Sequence, residues 1–259
     1  EISACLVGSE MCIRDRYVNS GEWKYIEVRP TFCEPGTETG FTRSVAYSIH
    51  RLDLRKSAQD VFRNFHKDCV QRKIRRAERE RLCYEEGNSE TILQKFYGLL
   101  VMTRQRQFLP PQPLFWFRAL INAFGGNLKI RVASKDGLPV ASILTITHKK
   151  SLVFKYGCSD ARFHNLGGVP FLLWNAIQDA KENRLEEFEM GRSASANPGL
   201  IAFKGRWGTF SEQLTYWTYR RGPGKTKNAW KDIALRRVVP WTPRLILKTA
   251  GKLLYGHIG

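Results

Sequence analysis

The chain has 259 residues, of which 42% are hydrophobic and 25% are charged, a globular composition that excludes a disordered or fibrous protein. It carries 42 Lys and Arg against 24 Asp and Glu, which gives a formal net charge of +18. This excess favours an anionic partner: nucleic acid, a phosphorylated metabolite or an acidic membrane.

No run of about 18 apolar residues is present, so we expect no membrane-spanning helix. Six cysteines stand singly without metal-ligand spacing, which predicts free thiols, no metal site and a cytoplasmic protein. Near the start, Met11–Arg16 resembles the translation of a transposon sequencing adaptor. We therefore expect residues 1–16 to be an artefact and native sequence to begin near Tyr17, inside a domain; a disordered native N-terminus is the alternative.

The hydrophobic pattern predicts two strands, 25–30 and 44–52, because apolar and polar residues alternate there. An approximate capping box at Ser57–Asp60, with apolar residues at helical spacing after it, predicts a helical region over about 58–80. The remaining predicted elements are a strand (82–86), helices (89–107 and 114–124), strands (127–134, 138–148 and 151–157), a helix (169–182), a strand (186–190), a short helix from Pro198 and a strand (209–219). A Gly/Pro-rich linker over 221–227 follows them.

Short motifs follow one another along this part of the chain: Arg72–Arg79, Phe96-Tyr97 with Thr103–Arg106, Tyr156–Asp160, Gly191–Ser193, Gly199–Lys204 and Trp207-Gly208. Together with the β-α-α-β-β-β-α-β-α-β order, they resemble the C-terminal half of FemABX-type proteins, peptidoglycan bridge aminoacyltransferases related to the GNAT superfamily. The resemblance implies an α/β (α+β) fold of the GNAT type, with a mixed, mostly antiparallel sheet flanked by helices. Because family members usually pair two such domains, it also implies a remnant of the first domain over 17–56, the acyltransferase domain over 57–220 and a basic tail over 221–259.

The function implied by this resemblance is N-acyl transfer to an amine on a cytoplasmic, phosphate-bearing acceptor such as a peptidoglycan precursor, as in cell-wall biogenesis. The acyl donor would be an aminoacyl-tRNA or an acyl-CoA, and no other cofactor is implied. Orientation and electrostatics dominate such chemistry, which leaves few diagnostic side chains. Two alternatives stay open: an acyl-CoA-dependent N-acetyltransferase of another amine, and a catalytically idle module that binds RNA or a membrane.

The resemblance also supplies candidate site residues. Lys204 is the strongest, because the family's Phe-Lys pair lies at the transfer site; Phe203 would pack beside it, and a solvated lysine is the alternative. Arg106 corresponds approximately to the acceptor-phosphate arginine, and Arg104 lies next to it; pairing with the helix dipole is the alternative. Further candidates lie near the carboxyl edge of the predicted sheet, where ligands of α/β proteins commonly bind: Arg192, Ser193 and Asp160 for substrate, and Tyr156 and Glu189 as acid or base. For Tyr156 the alternative is packing within the strand, and for Asp160 it is the opening of a loop.

The donor loop of GNAT enzymes corresponds to His164–Val169, where only one glycine falls in register. Gly167 and Gly168 precede a predicted helix and are candidates for donor phosphate binding, with a plain helix-entry turn as the alternative. The degraded pattern weakens a coenzyme A donor and leaves aminoacyl-tRNA open.

Two segments hold much of the charge. Residues 67–81 have seven basic and three acidic residues, and Arg72, Arg75, Arg76 and Arg79 share a predicted helix face that suits tRNA or lipid phosphates; a solvated face is the alternative. Residues 220–259 have ten basic residues and one acidic residue, with an amphipathic helix expected over 243–255. Its pattern favours an anionic membrane surface and predicts peripheral association with the inner membrane face, unless it docks on the domain.

Overall fold

A computed structural model describes residues 25–29 and 41–220 of the chain, except the side chains at positions 44–46. The expected adaptor segment, the linker 221–227 and the helix expected over 243–255 lie outside these residues. The strands are β1 Tyr25–Val28, β2 Thr42–Asp53, β3 Cys83–Gly87, β4 Leu128–Lys135, β5 Leu138–His148, β6 Ser151–Ser159, β7 Glu187–Ala194 and β8 Phe210–Arg220. The α-helices are α1 Ala58–Arg63, α2 Arg72–Arg79, α3 Glu90–Arg106, α4 Leu114–Phe124, α5 Gly168–Glu182 and α6 Pro198–Gly205.

The described residues divide into two compact units. The larger unit comprises 51–191 and 206–209. The smaller unit comprises 25–29, 41–50, 192–205 and 210–220. The domain boundaries expected at residues 16, 56 and 220 stay predictions.

In the larger unit, strands β3, β4, β5 and β6 are antiparallel neighbours, and β7 pairs with β6 in parallel. The connection between these two parallel strands contains α5, because parallel neighbours need a long crossover connection, which is usually helical. The predicted turn between β4 and β5 is present, with Asp136 and Gly137 both at positive φ, the conformation of the tightest hairpins. This unit thus has a mixed, mostly antiparallel sheet.

Helices cover both faces of that sheet. On one face, α3 and α4 pack their apolar residues against the side chains of Leu128, Ile130 and Val132 of β4. On the other face, the start of α5 is so close that a Cβ on Gly168 would lie 2.7 Å from the Ala141 Cβ and 3.8 Å from that of Ala133. Consecutive strand residues point to opposite faces, so β4 serves both layers.

The single helical region expected over 58–80 is wrong in one respect, because the chain turns sharply after α1. Asn64 ends α1, and the His66 amide donates a hydrogen bond to the Arg206 carbonyl at 2.8 Å. A π-helical turn over Lys67–Gln71 then leads into α2. The turn places the Phe65 ring against Trp207, with ring centroids 5.0 Å apart. The helix therefore ends where residues 65 and 66 contact the distant segment at 206 and 207.

The smaller unit contains strands in the order β1, β8, β2, of which β1 and β8 are antiparallel from Tyr25 opposite Arg220 to Val28 opposite Trp217. The Thr42 hydroxyl donates a hydrogen bond to the Thr218 carbonyl at 3.2 Å.

Among the residues that the structure describes, no helix is long and apolar enough to cross a bilayer.

Candidate functional site

Lys204 is buried in the smaller unit, which rules out a solvated lysine. It lies on α6, which Pro198 begins at a position where its missing N–H costs nothing. Its side chain is 3% exposed, and its Nζ donates a hydrogen bond to the Arg192 carbonyl at 3.0 Å. A buried ammonium is costly unless such bonds hold it, so this cation is fixed in place. Phe203, the residue before it, is half-buried.

Arg192 and Ser193 lie on opposite sides of β7. Its guanidinium stacks on the rings of Tyr47, 5.1 Å from the centroid, and Tyr216, 5.4 Å from the centroid, and it donates a hydrogen bond to the Tyr216 hydroxyl. Alternation along the strand directs Ser193 to the other side. Ser193 is 1% exposed, and its hydroxyl has no hydrogen-bond partner among the described residues.

His50 is a candidate that the sequence reasoning missed. On β2, Tyr47 lies on the side of Arg192, so Ser48 and His50 lie on the side of Ser193. His50 is 2% exposed, and its pKa is lowered by burial and by the positive charge of Lys204. The sequence offers only a weak signal here, since a polar residue in an alternating strand is ordinary.

We call Lys204, His50, Ser193 and Ser48 the lysine–histidine cluster. It combines a fixed cation, an imidazole that is neutral at pH 7, and two buried hydroxyls without a partner in the described part of the chain. A cation can stabilise a developing oxyanion, and a neutral imidazole can accept a proton. A buried hydroxyl without a partner is uncommon in folded proteins and calls for an explanation, of which a catalytic role is one.

A second group of predicted residues meets in the larger unit, where α3 ends beside the end of β6. Arg106 donates to the Ser159 carbonyl at 2.8 Å and to the Thr103 hydroxyl at 3.3 Å. Asp160 is buried and accepts hydrogen bonds from Arg162, which hold the pKa of its carboxyl below the usual value. Arg106 therefore forms a hydrogen bond between α3 and β6, in addition to any interaction with the dipole of α3.

The other predicted residues of the larger unit have more structural surroundings. Arg104 donates to the Gln107 side chain at 3.2 Å, while its Nε is buried without a partner among the described residues. The Tyr156 ring packs against Phe117, with centroids 5.3 Å apart, and so belongs to the core. Glu189 lies on β7 opposite Val153 of β6 and is half-buried. Their roles as substrate, acid or base residues stay predictions.

Gly167 and Gly168 are required by close packing at the start of α5. Gly167 has a φ of +76°, and a Cβ added to it would lie 2.3 Å from the Lys73 carbonyl oxygen. The main chain of α2 therefore packs directly against the loop for which donor phosphate binding is predicted. Phosphate binding by these glycines stays a prediction, while the geometry accounts for both residues without it.

The four predicted arginines of α2 all lie on its exposed side, as their spacing indicates. Ile74 and Ala77 are the residues that α2 buries. The arginines line a groove of about 910 Å³, which we call the α2 groove; its lining is Arg72, Lys73, Arg75, Arg76, Glu78, Arg79 and Asn165.

Comparison with known proteins adds a family and a fold. The family model described as Acetyltransferase (GNAT) domain matches residues 64–204, which is more than half of the chain. A crystal structure of FemX is similar with a TM-score of 0.67 at 13% identity, over 81% of this chain and 76% of that chain. The comparison with curated proteins returned no match.

Two further solved structures have the same type of fold. The C-terminal domain (DUF2156) of an Agrobacterium fabrum protein described as a lysylphosphatidylglycerol synthetase gives a TM-score of 0.56 at 14% identity, over 82% of this chain and 72% of that one. A tandem GNAT protein from the clavulanic acid biosynthesis pathway gives 0.50 at 12% identity, over 81% and 68%. At such identities the likeness shows the fold alone.

Proposed function

Because the chain belongs to the acetyltransferase (GNAT) domain family and is an acyltransferase of that type, we propose that it transfers an aminoacyl group. The donor is an aminoacyl-tRNA, and the acceptor is an amine on a phosphate-bearing precursor of the cell envelope. The fold class expected from the sequence is confirmed by the family match and by FemX.

The observation that carries the choice of donor is the contact between α2 and the start of α5. In GNAT enzymes the corresponding loop cradles the pyrophosphate of coenzyme A with its backbone amides. Here the Lys73 main chain packs against Gly167 at that loop, closer than any side chain would allow. The degraded glycine pattern of His164–Val169 agrees with this packing. Both features favour a donor that does not depend on that cradle.

Two similarities support an aminoacyl group in particular. The sequence motifs resemble FemABX-type aminoacyltransferases, and FemX is among the similar structures. The name of the Agrobacterium fabrum protein joins a lysyl group to phosphatidylglycerol, which is again an aminoacyl group on an envelope component.

The lysine–histidine cluster supplies the groups that such a transfer needs. The acceptor amine attacks the ester carbonyl of the donor, so that a C–N bond forms and the C–O bond to the ribose breaks. Lys204 stabilises the negative charge on the carbonyl oxygen. His50 takes the proton that the amine loses, and the ribose hydroxyl leaves with one proton regained. The lowered pKa of His50 keeps it able to accept that proton at pH 7.

A thermal-shift titration tests the donor. Its ligands are a tRNA that carries an amide-linked amino acid, the same tRNA uncharged, and acetyl-CoA. A ligand that binds only the folded protein stabilises it by about 2.7 kcal/mol at 100 times its Kd. We expect a saturable shift with the aminoacyl analogue, a smaller one with uncharged tRNA and none with acetyl-CoA. A saturable shift with acetyl-CoA alone would support the acyl-CoA enzyme instead, and equal shifts with any RNA that salt abolishes would support the idle binding module.

A further inference from the structure

The α2 groove is positively charged because α2 buries its apolar residues and exposes its charged ones. Five of the eight residues of the helix are cationic and only Glu78 is anionic, which gives +4 over two turns. Ile74 and Ala77 face the core with no exposed surface. Because about one residue in each helical turn is buried, all of the charged residues lie on the exposed side of the helix.

The cations of the groove are held weakly by their own neighbours. Arg72 pairs with Asp68 at 2.8 Å, but the two side chains are 77% and 60% exposed, and Arg76 lies 3.7 Å from Glu80. Exposed pairs of this kind contribute about 0–1 kcal/mol each, so a phosphate can replace the carboxylate at little cost. Arg75 stacks over the Phe62 ring at 5.7 Å, which orients its guanidinium.

The groove is also held firmly in position. The Lys73 main chain packs on Gly167, and Asn165, just before α5, forms part of the lining. Because this packing fixes α2, the main chain of the helix loses little conformational freedom when a ligand binds. Its volume of about 910 Å³ exceeds the need of a single phosphate and suits a segment of a polyanion.

From this placement we propose that the α2 groove binds the phosphodiester backbone of an RNA. Four of its five cations are arginines, whose planar guanidinium matches phosphate oxygens two at a time. A membrane-binding helix would expose an apolar face beside its cations, whereas the apolar residues of α2 are buried. This inference rests on the proposed function, because the RNA is the aminoacyl-tRNA donor. It adds the surface to which that donor binds.

Filter binding of uncharged tRNA at 50 to 300 mM NaCl tests this surface. The variant is the triple substitution Arg72→Gln, Arg75→Gln, Arg79→Gln. The matched control removes the same charge from exposed residues elsewhere, with Arg55→Gln, Arg118→Gln and Lys150→Gln. Each lost phosphate contact lowers the slope of log K against log salt by about 0.7–0.9. We expect the groove variant to lose at least 10-fold in affinity at 100 mM NaCl and about 2–3 units of slope, and the control to change affinity less than 3-fold.

Thermal unfolding of both variants and sedimentation with phosphatidylglycerol vesicles complete the experiment. A native melting temperature with lost RNA binding and unchanged vesicle binding supports the groove. Equal RNA affinity of the two triple variants, or a loss of vesicle binding alone, overturns it. If the groove variant loses RNA but the wild type transfers no acyl group, the proposed function fails and the groove stands. If transfer occurs and the groove variant still binds RNA normally, the groove fails and the function stands.

Discussion

Gly167→Ala tests the contact between α2 and the start of α5, on which the choice of donor depends. Gly167 has a left-handed backbone conformation, with φ at +76°, which costs an L-residue about 1–2 kcal/mol. The added Cβ would lie 2.3 Å from the Lys73 carbonyl oxygen and 2.9 Å from the carbonyl carbon. Because both atoms belong to the main chain, α2 must move, and overpacking of this kind costs about 1–3 kcal/mol. We therefore expect a loss of about 2–5 kcal/mol in the free energy of unfolding.

Urea unfolding followed by circular dichroism measures this loss. Gly98→Ala is the matched control, because Gly98 lies within α3 and a Cβ there meets no atom within 4 Å. Alanine should stabilise that helix by about 0.5–1 kcal/mol. We also expect Gly167→Ala to weaken RNA binding, since displacing α2 disturbs the groove. A Gly167→Ala variant as stable as the wild type would refute the close contact and, with it, the argument about the donor.

Three further substitutions probe the sites and the core. Lys204→Met should lower the single-turnover transfer rate about 100-fold or more, as loss of an oxyanion donor does, with Lys204→Arg recovering part of it. The pKa of His50 is lowered below its usual 6.5, so the transfer rate should be constant from pH 7 to 8 and should fall as the pH drops through that lowered value. His50→Gln should transfer slowly at every pH, without this fall at low pH. Asp179→Ala should reduce the free energy of unfolding by about 1–3 kcal/mol, because the fully buried Arg131 loses one carboxylate partner and keeps Glu86. The double variant with Arg131→Met should recover much of the loss in a urea titration.

The order of elements was predictable from the sequence because it depends on local patterns. Alternation marks β2, helical spacing marks α3, and Asp136-Gly137 marks the hairpin between β4 and β5. The break after α1 was not predictable, because it depends on the His66 amide bonding to the distant Arg206 carbonyl. A helical pattern contains no information about such a partner.

The candidate site was predictable only in part, for the same reason. The Phe-Lys motif pointed to Lys204, but its burial depends on α6 folding back toward the Arg192 carbonyl. The stacking of Arg192 on Tyr47 joins residues 145 positions apart, which no spacing rule detects. His50 gained its importance from the charge of Lys204, a neighbour in space and not in sequence.

A single-turnover transfer assay tests whether aminoacyl transfer takes place at the lysine–histidine cluster. The wild-type protein and Lys204→Met are incubated with tRNA charged with radiolabelled alanine and with a UDP-linked muramyl pentapeptide that carries a lysine amine. We expect the wild type to move the label from the RNA into an amide that resists mild base. We expect Lys204→Met to do so at least 100 times more slowly while binding the RNA equally well. Equal rates for the two proteins would contradict a role of Lys204 in the transfer, and transfer only when acetyl-CoA replaces the charged tRNA would contradict an aminoacyl-tRNA donor.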